Sequence, residues 1–190
     1  MMEDLAMQML EIIMNSVHAD SREIEIRIVD SEAENLVSMT VSDDGKGMNK
    51  ALLQRVTDPF VTTRETRRIG MGIPFMKGLT EQCGGRFSMR SRPGEGTMLT
   101  ATVQRDHIDT PPMGDLGEMM MNSIQADENI DYKFNYRTDK GEFAFDTREA
   151  REMLDGVSLL EPSILLWLRD YIRQGVEQAR TGGELTDRSQ

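Results

Sequence analysis

Two acidic residues and two glycines follow a run of apolar and β-branched residues. The run covers residues 36–41, and Asp43, Asp44, Gly45 and Gly47 fall within the next six residues. This pattern predicts a strand whose last carboxylates enter a glycine turn. Glycines let the backbone approach a bound group closely and adopt positive φ. Asp-Gly is also common in surface turns, so the segment by itself leaves open a ligand loop or a plain turn.

The first helical pattern places a carboxylate and an amide on one face. Apolar residues recur at helical spacing over residues 3–19, which predicts an amphipathic helix. Glu11 and Asn15 are four residues apart, so their side chains lie one turn apart and converge beside the helix. His18 follows near the same face. The alternatives are a solvated i,i+4 pair and a histidine favoured by the dipole at the helix end.

An irregular segment, residues 58–72, contains a proline, hydroxyl residues, three arginines and two glycines. Loops of this length are usually functional or disordered. Gly70 and Gly72 directly precede a helix predicted for residues 73–83. A glycine-rich helix start presents free backbone N–H groups and the positive end of the dipole, which together form an anion site. A flexible connector is the alternative interpretation.

Further elements surround these residues. Residues 23–29 alternate charged residues with isoleucine, which predicts a half-buried strand paired with the strand at 36–41 in a hairpin. A short helix is expected at 49–56. Two more strands, at 86–91 and 97–103, are joined by a glycine-containing hairpin turn.

Composition excludes several classes of protein. The 190 residues suffice for a buried core and carry a formal net charge of -11, which argues against electrostatic capture of nucleic acid or of an anionic membrane. The single cysteine, Cys83, excludes an internal disulfide framework and a thiolate metal cluster. No run reaches the length of a membrane span, and the acidic start does not resemble a signal peptide. The expected location is the cytoplasm.

Residues 3–104 resemble the ATP-binding domain of the GHKL superfamily, which is shared by type II topoisomerases, heat-shock chaperones, sensor histidine kinases and mismatch-repair ATPases. Four boxes of that superfamily occur together and in order, although each is unspecific alone. The matching segments are Glu11-xxx-Asn15 with His18-Ala19, Asp43-x-Gly45-x-Gly47, residues 58–64 with Gly70-x-Gly72, and Gly94-x-Gly96-Thr97.

The resemblance implies a two-layer α/β sandwich, with three helices on a mixed, mainly antiparallel sheet and ATP held between the helices and a lid. Asp43 would accept a hydrogen bond from the adenine amino group, and Asn15 would coordinate magnesium. Around the base, Gly45, Gly47 and Met48 would form a wall beside the adenine, and Thr97 would hold a water. Near the phosphates, His18 would be a neighbour, and Gly70, Met71 and Gly72 would make contacts. Thr62, Thr63 and Arg64 would belong to the lid.

Glu11 is the implied catalytic residue and a departure from many histidine kinases, which carry asparagine there. ATP-hydrolysing relatives and serine-phosphorylating anti-sigma kinases carry glutamate. A carboxylate one turn from the metal ligand could deprotonate or orient water, or a substrate hydroxyl, for attack on the γ-phosphate. Glu11 therefore allows either hydrolysis or kinase chemistry.

The sequence predicts a domain at residues 1–105, a linker at 106–113, a small α+β C-terminal unit at 114–180 and a frayed tail at 181–190. In the C-terminal unit we expect helices near 114–126, 147–155 and 162–179 and strands at 130–136 and 142–146. No catalytic constellation is recognisable there. Trp167 and Tyr171 form a helical stripe that favours core packing, with a partner or dimer surface as the alternative.

Two classes of function remain open. In the first, the chain is a stand-alone kinase or ATPase that uses ATP and magnesium to act on a partner protein through its C-terminal unit. This interpretation is favoured by Glu11. In the second, the chain is an ATP-sensing module with little turnover. The chain starts almost directly at the first helix, with no segment for a phosphoacceptor histidine, which argues against an autophosphorylating sensor kinase and permits the second class. Neither class involves nucleic acid or a membrane, and a homodimer is compatible with both.

Overall fold

The computed structural model describes residues 4–57 and 71–183. Lid residues Thr62, Thr63 and Arg64, together with Gly70, lie outside these ranges. Six helices are described: α1 (Leu5–His18), α2 (Lys50–Val56), α3 (Gly72–Gln82), α4 (Leu116–Ala126), α5 (Thr147–Met153) and α6 (Pro162–Thr181). Six strands are described: β1 (Glu23–Ser31), β2 (Leu36–Asp43), β3 (Arg86–Arg92), β4 (Gly96–Gln104), β5 (Asp131–Thr138) and β6 (Glu142–Asp146).

The strands form one sheet in the order β3-β4-β2-β1-β5-β6. Neighbouring strands are antiparallel except for β1 and β5, which pair in parallel. Ile24, Ile26 and Ile28 of β1 are buried, while Glu25 and Arg27 between them point to the opposite face and pair with each other. The alternating pattern of the sequence therefore corresponds to one covered face and one solvated face.

The helices cover the apolar face of this sheet. Within the layer α3 packs against α1, α1 against α4, and α4 against α6. The apolar stripe of α1 includes Leu5, Met9 and Ile13, all buried. The predicted α/β fold with helices on a mixed sheet is confirmed. No helix in the described ranges has the length and apolarity that crossing a membrane requires.

The segment after residue 113 continues this sheet, whereas the sequence predicts a separate C-terminal unit. Strand β5 pairs with β1 along its whole length, and β6 completes the edge. The linker also holds the start of α1, because Leu5 N–H donates to the carbonyl of Pro112 at 3.0 Å and Ala6 N–H to that of Met113 at 2.9 Å. The predicted boundary at 106–113 thus lies between two parts of one sheet. A pairing between strands about a hundred residues apart leaves no local pattern in a sequence.

The prediction that the Trp167 and Tyr171 stripe belongs to the core is wrong. Trp167 is 49% exposed and Tyr171 is 43% exposed. Helix α6 buries a neighbouring face instead, through residues such as Leu168 and Ile172. Helix α6 packs against α4, β5 and β6. The aromatic stripe lies at the border of these contacts, where Tyr171 meets Phe143 but both stripe residues stay partly open to solvent.

Candidate functional site

A cavity of about 110 Å³ lies between α1, the β2–β4 strand ends, α2 and the start of α3. Its walls are mostly apolar, with a single carboxylate among the lining side chains. The lining residues are Ile12, Asn15, Ser16, His18, Ala19, Val41, Asp43, Lys46, Gly47, Met48, Leu52, Ile73, Met89, Thr97 and Leu99. A mainly apolar cavity with a few converging polar groups is typical of a ligand site.

Asp43 is the carboxylate of this cavity, and both of its oxygens are held in place. Its Oδ2 accepts from Ser16 Oγ at 2.6 Å, and its Oδ1 accepts from Gly45 N–H at 2.9 Å. The position follows from the fold, because Asp43 is the last residue of β2 and pairs in register with Thr97 of β4. Each carboxylate oxygen has two acceptor positions, so Asp43 retains capacity for a donor from a ligand.

A hydroxyl pair joins the other segments of the site. Ser91 Oγ lies 2.8 Å from Thr97 Oγ1 and accepts from Met48 N–H at 2.8 Å. The same oxygen is 3.0 Å from the carbonyl of Gly96. Ser91 therefore ties the segment after β2 to the β3–β4 hairpin and holds Thr97 beside the cavity.

The glycines of the two turns are required by close backbone packing. Gly47 has φ +62°, and a side chain there would overlap the carbonyl of Arg92. Gly96 has φ +97°, and a side chain there would overlap the carbonyl of Asp43. Such positions favour glycine strongly. The two turns interlock at the cavity, so the segment after β2 is more than a plain surface turn.

Asp44 and Gly45 hold the same segment from outside the cavity. Asp44 Oδ1 accepts from the N–H groups of Arg22 and Glu23, at 2.7 and 2.9 Å. Asp44 is therefore more than an ordinary turn acid, because it fastens the β2 end to the start of β1. At Gly45 an added Cβ would lie 2.6 Å from Ser21 Oγ, so a side chain there would push the segment away.

Asn15, His18 and Lys46 form the polar rim. The amide nitrogen of Asn15 is buried and has no hydrogen-bond partner among the described residues. His18 is exposed, and its backbone carbonyl accepts from Lys46 Nζ at 3.3 Å. A buried amide without a partner is costly, and a ligand that reaches the rim would satisfy it.

Glu11 and Gly72 meet at the start of α3. An added Cβ at Gly72 would lie 2.9 Å from the Cβ of Glu11. The preceding residue, Met71, makes no side-chain capping hydrogen bond. The first N–H groups of α3 therefore lie near Glu11, one turn before Asn15 on α1. Glu11 is exposed and lies outside the lining of the cavity that the described residues enclose.

Six of the predicted residues line the cavity: Asn15, His18, Asp43, Gly47, Met48 and Thr97. Sequence reasoning missed Ser16, Ser91 and Lys46. Ser16 carried a usable signal, because it is a hydroxyl residue on the buried face of α1. The contact of Ser91 with Thr97 depends on the β3–β4 register.

The described residues contain no cluster of three or more histidine, cysteine or acidic side chains that could hold a metal ion.

A sequence model of the histidine kinase-, DNA gyrase B- and HSP90-like ATPases matches residues 3–107. The chain belongs to this ATPase family. The match ends after β4 and covers α1, both glycine turns and the β3–β4 hairpin. All residues that line the cavity lie within it. ATP binding is a general property of this family of domains.

Several sensor histidine kinases are similar to part of the chain. An uncharacterized sensor-like histidine kinase of Rhizobium meliloti is 40% identical over 77 residues, which are 38% of this chain and 15% of that protein. ZraS of Klebsiella oxytoca is 33% identical over 93 residues, which are 48% of this chain and 20% of that protein. YcbM of Bacillus subtilis is 38% identical over 77 residues, which are 38% of this chain and 25% of that protein. The matched segment is thus a quarter or less of each relative.

Among solved structures, the N-terminal domain of a DNA repair protein superposes with a TM-score of 0.50 at 13% identity. The superposition covers 75% of this chain and 52% of that one. At this identity the likeness concerns the fold alone. The superposition covers more of the chain than the 105 residues that the family model matches.

Proposed function

We propose that the chain binds ATP with magnesium in the cavity beside Asp43 and transfers or releases the γ-phosphate to regulate a partner protein. The observation that carries this proposal is the carboxylate of Asp43, held by Ser16 and Gly45 inside a mostly apolar cavity. A fixed acceptor between apolar walls suits a flat base with an exocyclic amino group.

The cavity would discriminate the base through its acceptors. The adenine amino group donates to Asp43, and Thr97, held by Ser91, provides a hydroxyl for a bridging water. Met48, Met89 and Leu99 contact the ring faces from the cavity walls. A base that presents a carbonyl in place of the amino group would set two acceptors against each other, so adenine is favoured over guanine.

The residues at the rim fit a magnesium–phosphate group. The side chain of Asn15 has a buried polar atom without a partner, and the amide also has an oxygen that can ligate a hard cation. Magnesium, when bound, neutralises phosphate charge and orients the γ-phosphate. The start of α3 at Gly72 offers backbone N–H groups to the phosphates.

Glu11 is the proposed catalytic residue. It lies one turn from Asn15 and beside Gly72, where its exposed carboxylate can hold and accept the proton of a water or of a partner's hydroxyl. The ATP-sensing function remains the second candidate. It is favoured by the position of Glu11 outside the cavity lining, since a carboxylate away from the nucleotide would not support turnover.

The test follows the phosphate of ATP labelled at the γ position, in the presence of magnesium, with and without candidate partner proteins. We expect label on a partner or released phosphate, and we expect Glu11→Gln to abolish both while calorimetry shows unchanged ATP affinity. Glu81→Gln, at an exposed acid near the other end of α3, is the matched control and should leave turnover intact.

Each outcome decides between the candidates. Saturable binding without transfer or release in the wild type supports the sensor. Turnover that survives Glu11→Gln removes Glu11 from the catalytic role. If calorimetry detects no magnesium-dependent ATP binding, the proposal fails.

A further inference from the structure

A second concave surface lies about three strands away from the nucleotide cavity, at the β6 edge of the sheet. It has a volume of about 470 Å³ and is bounded by β6, α5 and α6. We call it the C-terminal groove and define it by its apolar lining residues Phe145, Met153, Leu154, Ile164, Trp167 and Tyr171. It lies beyond the segment that matches the ATPase family.

The groove is apolar and open to solvent. Met153 is 78% exposed, and the aromatic stripe of α6 forms the opposite wall. Trp167 stacks on Tyr171 with ring centroids 5.5 Å apart, and Tyr171 in turn contacts Phe143 edge-on at 5.6 Å. These rings are held by one another, so the groove presents a preorganised aromatic surface of the kind that dominates binding energy in protein interfaces.

The rim of the groove carries unbalanced negative charge. Glu149 lines the groove, and Glu152, Asp155 and Glu161 lie one to three residues along the chain from the lining residues Met153, Leu154 and Ile164. All four acids are exposed and form no ion pair with any residue in 4–57 or 71–183.

The neighbouring arginines already form ion pairs with other acidic residues. Arg148 pairs with Asp146 at 2.6 Å, and Arg151 pairs with Asp131 at 2.7 Å. An occupant with positive charge would therefore meet free carboxylates around an apolar floor.

The spacing of the apolar lining residues on α6 favours a helical occupant. Ile164, Trp167 and Tyr171 follow i, i+3, i+7 spacing along α6, which is the stripe that one helix presents to another. A second copy of this chain is disfavoured because it would bring a second acidic rim, on a chain of net charge -11, against the first.

We infer that the C-terminal groove binds an amphipathic helix of a partner protein, whose apolar stripe packs on Trp167 and Met153 and whose flanking lysines or arginines face the acidic rim. The inference rests on the proposed function only in that a partner protein exists. Because the binding is measured without nucleotide, its failure is distinguishable from failure of the ATP site.

The experiment uses the full chain and an 18-residue peptide of leucine, alanine and lysine with the leucines on one helical face. Trp167 is the only tryptophan of the chain, so its emission reports occupancy directly. We expect a saturable shift to shorter wavelength with the peptide. A lysine peptide with serine in place of leucine, and a version with two interior prolines that prevent a helix, should bind at least about tenfold more weakly.

Two variants test the groove without threatening the fold. Glu149→Lys with Glu152→Lys should weaken binding about tenfold or more, whereas the charge-matched control Glu34→Lys with Glu81→Lys should not. Met153→Ser should weaken binding, whereas Ile108→Ser, at a 95% exposed apolar residue elsewhere, should not. These positions are all exposed, so substitution leaves the core intact.

Several results would overturn the inference. Peptide binding by calorimetry without a change in Trp167 emission places the site elsewhere. Equal affinity for the proline peptide indicates an extended occupant. Self-association of the chain that Met153→Ser abolishes assigns the groove to a second copy. Absence of a saturable shift up to about 1 mM peptide, the weak limit of specific binding, rules the groove out.

Discussion

Replacing Asp43 by asparagine preserves the size of the side chain and removes its charge. At present Oδ2 accepts from Ser16 and Oδ1 accepts from Gly45. Asparagine has one acceptor oxygen, so its NH₂ group must face Ser16, Gly45 or the bound base. Loss of a hydrogen bond to a charged group costs about 1.5–3 kcal/mol, which corresponds to a 10- to about 150-fold weaker ATP affinity.

The neighbouring substitution Asp44→Asn is the matched control. Asp44 accepts from the N–H groups of Arg22 and Glu23 and faces away from the cavity. Its replacement should lower the free energy of unfolding by about 1 kcal/mol and leave the ATP affinity nearly unchanged. Isothermal calorimetry with ATP and magnesium measures the affinity, and urea denaturation of each variant measures the free energy of unfolding.

Two results would refute this account of the site. If Asp43→Asn binds ATP as tightly as the wild type, Asp43 is not the acceptor of the base. If Asp44→Asn loses as much affinity as Asp43→Asn, the loss reflects disturbance of the segment after β2 and says nothing about recognition.

Three further predictions concern contacts around the site and the C-terminal segment. Ser16→Ala removes the donor that orients Asp43 and should weaken ATP binding about tenfold, measured by calorimetry. Gly96→Ala forces a side chain against the carbonyl of Asp43 at positive φ and should lower the free energy of unfolding by about 2–4 kcal/mol, measured by urea denaturation. Burial opposes ionisation of Asp115, but its hydrogen bonds, chiefly from Arg173, lower its pKa below the usual 3.8. A carboxyl group whose pKa is lower in the folded state stabilises the fold above about pH 4, and this stabilisation is lost as the pH falls further. Asp115→Asn should therefore flatten the acid limb of a plot of melting temperature against pH.

Local patterns predicted the elements of the site well. The alternation in β1 and the helical spacing of α1 each report a face that is buried in the structure. The glycine turns were also recognisable, because Gly47 and Gly96 occupy backbone positions that few other residues tolerate. The spacing could not show why glycine is needed at these positions. The reason is that each turn packs against a backbone carbonyl of the other turn.

Features that depend on distant pairs were missed. In the sequence Asp44 resembles any acidic turn residue, and only the fold places its carboxylate beside the start of β1. Ser91 contacts Thr97 only because of the register of β3 on β4. Trp167 was placed in the core because it forms a helical stripe with Tyr171, and the spacing does not state which apolar stripe of α6 is covered. The position of β5 was the largest omission, since its partner β1 lies about a hundred residues earlier.

The pairing of β5 with β1 also bears on how the C-terminal segment relates to the proposed nucleotide cavity. Without β5, the backbone groups along one edge of β1 would lack their sheet partners. Helix α4 packs on α1, the helix that carries Glu11 and Asn15, and also on α6, which forms a wall of the C-terminal groove. At the α4–α6 contact an added Cβ on Gly117 would lie 2.5 Å from the carbonyl oxygen of Arg169, so the two helices touch through their backbones. The segment beyond the family match therefore adds two strands to the sheet and packs against α1, the helix that borders the proposed nucleotide site. A partner held in the groove would contact the same helix layer that positions Asn15.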